Sequence, residues 1–228
     1  MQKLPKVLFF DVNETLLDLS PLKNDVAELL RGKTELVSLW FTTLLHYSLV
    51  TSASGKYVHF GKIGAATLQM VAANAGISVS KEEAESVVVK GFRKLPAYPE
   101  VKEALNRLKS EGFTLVAFTN SDSKGLKAQL AYAGLTECFD QMRSMEEVGV
   151  YKPFTQTYNW GIQQLKIEPD DAMLVAAHGW DVAGAQWAGW QAAFIQRPGQ
   201  QQFPLAEPTT MVATDLADFA AQLIARVM

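Results

Sequence analysis

Short runs of apolar residues recur along the chain and are separated by stretches in which apolar positions return every three or four residues. The first kind, Lys6–Phe10, Thr114–Phe118, Ala172–Ala176, Ala192–Gln196 and Thr210–Ala213, has no polar alternation, as expected of strands covered on both faces. The second kind predicts helices. Pro99 to Ser110 sets Val101, Ala104, Leu105 and Leu108 on one face and stops before Gly112. Ser123 to Ala133 stops at Gly134, and Asp215 to Val227 repeats Leu216, Phe219, Ala220, Leu223 and Ile224. Strands alternating with helices predict βαβ units and a doubly wound parallel sheet of the α/β class.

The stretch from about Leu17 to Tyr98 breaks this rhythm. It reads as helices over Leu22–Leu30, Thr34–Leu49, Phe60–Ala75 and Ser80–Lys94, punctuated by Gly32, Ser52–Gly55 and Gly76. Ser80 followed by Glu83 has the spacing of a capping box. This pattern predicts a helical cap over residues 18–97, inserted after the first strand. The remaining segments, 1–17 and 98–228, then form the α/β core. Proline-containing linkers near Asp18–Pro21 and Leu95–Pro99 would be the hinges.

Composition narrows the function classes. Hydrophobic residues make up 48% and charged residues 20% of the 228, with 24 acids, 21 bases and no long run of either sign. That pattern carries no footprint for nucleic acid or for an anionic membrane surface. The start has four apolar residues before an acid, too few for a signal peptide or a spanning helix. A single cysteine, Cys138, excludes an internal disulfide and a cysteine-based zinc site, and reads as a small buried side chain. The expectation is a cytoplasmic protein acting on a small molecule.

Four separated pieces converge if the sheet is parallel, because ligands bind at the carboxyl ends of its strands. They are Asp11-Val12-Asn13-Glu14-Thr15 after the first strand, Thr119-Asn120-Ser121 after the second, Val150-Tyr151-Lys152-Pro153 on a loop, and His178-Gly179-Trp180-Asp181 after the Leu174–Ala177 strand end. A carboxylate, a hydroxyl and amide, a lysine and a second carboxylate along one edge make a reaction centre.

The order D-x-x-x-T, T/S-N, K-P and a late Asp resembles the haloacid dehalogenase-like superfamily, and within it the type II L-2-haloacid dehalogenases. Tyr158, six residues after Lys152, the Trp180-Asp181-Val182-Ala183-Gly184-Ala185 segment, Ser38-Leu39-Trp40 and Tyr57-Val58-His59-Phe60 are similar to that type. The resemblance spans essentially the whole chain. It implies a helical lid, no metal or organic cofactor, and attack of Asp11 on carbon 2 of a short 2-haloacid, followed by hydrolysis of the aspartyl ester. It further implies that Lys152 stabilises the Asp11 carboxylate, that Thr119 and Asn120 hold substrate carboxylate or halide, and that Asp181 orients Lys152 or water.

Departures from the pattern matter as much. Phe41 stands where the family has a halide-accepting arginine, Asn13 where it has tyrosine, and Glu14 where it has glycine. Ala176 and His178 replace a serine and an asparagine that position water. His178 at a strand end is expected to help activate that water, its ordinary pKa suiting a base near neutrality. Asn13, Trp40, Phe41, Phe60, Tyr158 and Trp180 are the expected substrate-binding set, and the lid aromatics make a homodimer an expectation too. His46 and His59 have no partner ligands in the sequence and read as structural. Two other readings stand beside the dehalogenase. A phosphatase of the same superfamily needs a general acid two residues after the nucleophile, where Asn13 cannot serve. A binding homologue without catalysis has no chemical need for Asp11, Asn120, Lys152 and Asp181 together.

Overall fold

A computed structural model describes residues 3–227. Among them six strands form one sheet in the order β3-β2-β1-β4-β5-β6, every neighbouring pair parallel. They are β1 (Val7–Phe10), β2 (Thr114–Thr119), β3 (Gln141–Ser144), β4 (Ala172–Ala176), β5 (Gln191–Ile195) and β6 (Met211–Ala213). The central strands are apolar because both faces are covered, and every residue of β1, β4 and β5 is buried. Each large side chain so buried contributes about 1.5–3 kcal/mol relative to exposure.

Five helices belong to this sheet: α5 (Val101–Ser110), α6 (Ser123–Tyr132), α7 (Thr155–Leu165), α8 (Gly179–Trp187) and α9 (Leu216–Ile224). Right-handed crossovers that run outward from β1 through β2 to β3, and then back through β4 to β5, place their helices on opposite faces. The packing of α5 on α9 and of α7 on α8 agrees with that doubly wound arrangement. The winding reverses at β1, whose neighbours are β2 and β4, so the crevice beyond Phe10 is the topological switch point. Asp11 is the next residue.

Four helices intervene between β1 and α5: α1 (Ser20–Leu29), α2 (Glu35–Ala53), α3 (Phe60–Asn74) and α4 (Lys81–Phe92). They pack chiefly on one another, α3 against both α2 and α4, and α1 against α4. The Ser80–Glu83 capping box opens α4. By length and apolar composition alone, at 19 residues, α2 could cross a membrane. In the fold it turns Trp40 and Leu44 inward and packs on α3. Two backbone contacts, Asp18 N to Pro96 O and Tyr98 N to Leu16 O, tie the outgoing and returning linkers together.

Two features depart from the sequence reading. Strand β3, Gln-Met-Arg-Ser at the sheet edge, is only partly covered and so lacks an apolar run. Helices α7 and α8 also occupy stretches that the sequence pattern left unassigned.

Candidate active site

The switch point gathers the four expected pieces into one buried cluster. Asp11, Lys152, His178 and Asp181 are each at most 5% exposed, so every charge among them must be answered by a partner. Lys152 Nζ donates to Asp11 Oδ1 at 3.0 Å, to Asp181 Oδ2 at 2.5 Å and to the Phe118 carbonyl at 3.0 Å. An ammonium has three donors, and all three are used. Burial opposes the lysine's charge, but Asp11 and Asp181 outweigh it and raise its pKa.

Asp11 Oδ2 accepts from the Thr15 hydroxyl at 2.8 Å and faces His178 Nδ1 at 3.0 Å. Burial would push the Asp11 carboxyl up. The Lys152 charge and the His178 hydrogen bond prevail and hold it well below the usual carboxylate range. Asp181 lies deeper, and burial together with the nearby Asp11 charge raises its pKa against the pull of Lys152. The Tyr158 hydroxyl donates to Asp181 Oδ1 at 2.6 Å.

His178 bridges two carboxylates, because its Nε2 faces Glu14 Oε2 at 3.0 Å. Burial works against a charge on the ring. The hydrogen bonds with Asp11 and Glu14 override it and raise the pKa to about 9. With a carboxylate facing each ring nitrogen, this geometry favours a ring that donates from both over the expected base. Glu14 also pairs with Lys23 Nζ of α1 and accepts from Gln200 Nε2 at 3.2 Å.

Several expected substrate contacts serve the protein itself. Asn120 Oδ1 accepts from the Lys152 amide at 3.0 Å and its Nδ2 donates to the Lys152 carbonyl at 3.4 Å, so its side chain braces the lysine. Thr119 Oγ1 accepts from the Ser121 amide. Asn13 turns away from Asp11, with Ser121 at 3.3 Å and Gln129 at 2.8 Å. Trp40 is wholly buried within the helical unit and donates to the Gly64 carbonyl, and Tyr158 is equally enclosed. Phe60 packs against Phe92 and Tyr151. Phe41 is half-buried, with Lys23 Nζ 5.9 Å from its ring centroid. Trp180 stacks on His178, ring centroids 5.2 Å apart. His59 faces Glu146 at 3.4 Å.

Residues outside the expected set complete the site. Thr15 was visible only as the end of the D-x-x-x-T motif; its hydroxyl oxygen accepts from the Ala177 amide at 3.0 Å. Arg197 donates twice to the Thr15 carbonyl, at 3.0 and 3.2 Å, pairs with Glu100 at 2.6 Å and lies 3.7 Å from the centroid of Tyr98. It clamps the loop after β1 to the linker before α5, and no local sequence signal marks it. Gly184 lets α8 come close, since a Cβ there would lie 2.5 Å from Pro153 Cβ and 2.7 Å from the Tyr158 hydroxyl.

Known proteins share this sequence pattern and this fold. The chain is 29% identical over 194 residues to (S)-2-haloacid dehalogenase 1 of Pseudomonas sp. strain CBS-3, covering 85% of each chain. It is 27% identical over 195 residues to the (S)-2-haloacid dehalogenase of Pseudomonas sp. strain YL, covering 85% of this chain and 84% of that one. Its fold superposes with a TM-score of 0.89 on L-2-haloacid dehalogenase from Xanthobacter autotrophicus with chloropropionic acid covalently bound, at 22% identity and with 98% and 99% of the two chains covered. The sequence pattern that defines the haloacid dehalogenase-like hydrolases matches residues 5–189. With that match over most of its length, and Asp11 at the switch point of the expected sheet, the chain belongs to the haloacid dehalogenase-like hydrolase family.

Proposed function

We propose that this hydrolase releases halide from short 2-haloacids through a covalent ester on Asp11. The observation that carries the reading is the saturated Lys152 ammonium, which fixes Asp11 as an anion and leaves it poised at the switch point. An ionised carboxylate shielded from water attacks carbon 2, and splitting one displacement into two easier steps is what covalent catalysis supplies. The names of the relatives support the same chemistry. Asn13, an amide turned toward Ser121 and Gln129, offers no acid for a phosphate ester's leaving group.

Residues 18–97 act as the cap in this reading. Asp11 is nearly sealed, so substrate reaches it when the helical unit parts from the sheet, and the Lys23–Glu14 pair spans that seam. Lys23 also stands beside Phe41, and we assign it the cationic role that the missing arginine would have had at the leaving halide. Phe41, Phe60 and Trp180 wall the substrate. Asp181 accepts a proton from the hydrolytic water. The exposed apolar face of α2 forms a homodimer.

Halide release from a panel of short 2-haloacids, with phosphate esters alongside and a chelator in parallel, tests the activity. Chelator-resistant halide release is expected. Magnesium-dependent phosphate release without halide would assign the enzyme to the phosphatase side of the family.

A further inference from the structure

The two oxygens of Asp11 are not equivalent. Oδ2 accepts from Thr15 and from His178, whereas among the described residues Oδ1 accepts from Lys152 alone. Thr15 has no freedom to turn, because its oxygen already accepts from the Ala177 amide and its proton must go to Oδ2. Oδ1 therefore keeps a lone pair for attack, and an ester formed through it leaves Oδ2 as the carbonyl oxygen between two donors.

The far side of the imidazole explains why Glu14 is there. A neutral ring carries one N–H and one lone pair, and between two carboxylates it would aim the lone pair at one of them. A doubly protonated ring satisfies both. Glu14 reaches its place from φ 61°, a left-handed conformation that residues other than glycine seldom take. Lys23 and Gln200 steady its buried carboxylate, and Trp180 presents a ring face to the imidazole, an arrangement that suits a cation.

We propose that Glu14 is a positioning residue that keeps His178 an imidazolium, and that His178 and Thr15 form the oxyanion hole for hydrolysis of the Asp11 ester. This rests on Asp11 being the nucleophile, as read above. Water oxygen bonds to Cγ as one of its protons passes to Asp181, and the carbonyl pair moves onto Oδ2. Donors 2.8 and 3.0 Å from Oδ2 stand within the range that stabilises such an oxyanion. Collapse restores the carbonyl and breaks the Cγ–Oδ1 bond. The pair leaves with Oδ1, which takes the proton from Asp181 as the hydroxyl of the product. The remaining carboxyl proton is lost to solvent, matching the proton that accompanies halide overall.

The charged groups facing the ring are Asp11 and Glu14 in the loop after β1, with Lys152 and Lys23 one step beyond these two carboxylates and Asp181 beyond Lys152. Esterification removes the Asp11 charge. Glu14 is then the carboxylate that remains on the ring, so its loss acts on the second half-reaction.

Glu14→Gln and Glu14→Gly, the latter free of strain at φ 61°, provide the test, read by intact-protein mass and by ring-nitrogen NMR. In the wild type the ring should be an imidazolium at pH 7 and titrate near 9. In both variants it titrates lower, the ester adduct accumulates with a short 2-haloacid, and ester hydrolysis at pH 7 slows about tenfold or more. Full removal of an oxyanion donor by His178→Leu slows it about 10²–10³-fold. A general-base role has the opposite sign, since a lower ring pKa would speed hydrolysis at pH 7. Equal or faster ester hydrolysis in the Glu14 variants, or a neutral ring in the wild type at pH 7, overturns the proposal. A wild type that forms neither halide nor adduct contradicts the substrate reading instead, and the ring titration, which needs no substrate, tells the two failures apart.

Discussion

Tyr158 donates its hydroxyl to Asp181 Oδ1 at 2.6 Å from a fully buried position, while Lys152 holds the other oxygen at 2.5 Å. Both oxygens of this buried acid are thereby held by donors. Tyr158→Phe removes one of these donors and leaves the ring packing intact. Because it strands a buried carboxylate oxygen, unfolding free energy should fall by about 1–3 kcal/mol, and kcat should fall about tenfold with little change in KM. Denaturant titration and steady-state halide release check both, and a variant with wild-type kcat removes Asp181 from the proton transfer assigned to it.

Lys23 gives a second prediction. A hydrogen bond to a charged group contributes about 1.5–3 kcal/mol. That corresponds to roughly ten- to a hundredfold in rate at about 1.36 kcal/mol per factor of ten. The Lys23 side chain is 40% exposed, so solvent screening points to the lower end. Lys23→Met should reduce kcat/KM for 2-chloropropionate about tenfold, and Lys23→Arg should restore part of it. Unchanged kcat/KM in Lys23→Met would leave the halide to another group.

His178 links the site to stability. Its folded pKa, about 9, lies above the ordinary 6.5, so the stabilisation is complete below pH 6.5 and is lost as pH rises through 9. The difference corresponds to about 3 kcal/mol at most. Chemical denaturation between pH 6 and 10 should show that loss in the wild type and a smaller one in Glu14→Gln. Parallel curves for the two proteins would contradict the pairing.

The apolar face of α2 bears on assembly. Only five residues of that 19-residue helix are buried, and Leu39, Leu49 and Val50 are exposed beside His46 and Ala53. Light scattering should report a dimer, and Leu49→Glu with Val50→Lys should report a monomer that keeps its fold. A wild-type monomer at assay concentration sinks the assembly.

Much of this was legible in the chain itself, for physical reasons. Strands β1, β4 and β5 are buried on both faces and leave continuous apolar runs, and helices α5 and α9 pack one face inward and so repeat every three or four residues. Strand β3 lies at the edge and left no such trace. In the site, the spacing to Asp11, Lys152 and Asp181 was readable because each follows a strand end or opens a loop. What those residues do for one another was not. Asn120 spends its amide on the Lys152 backbone, and Glu14 meets His178 across 164 residues of chain. Partnerships of that range leave no local period, and Arg197, which clamps Thr15 from 182 residues away, is hidden for the same reason.

The covalent role of Asp11 is tested most directly by a single turnover in water labelled with heavy oxygen, with protein in excess over a short 2-haloacid. Attack of water on Cγ places the label in Asp11 and delivers unlabelled hydroxy acid, and mass analysis of the Asp11 peptide should find it there. Label in the hydroxy acid after one turnover, with none in Asp11, would mean that water attacks carbon 2 directly and that no aspartyl ester forms.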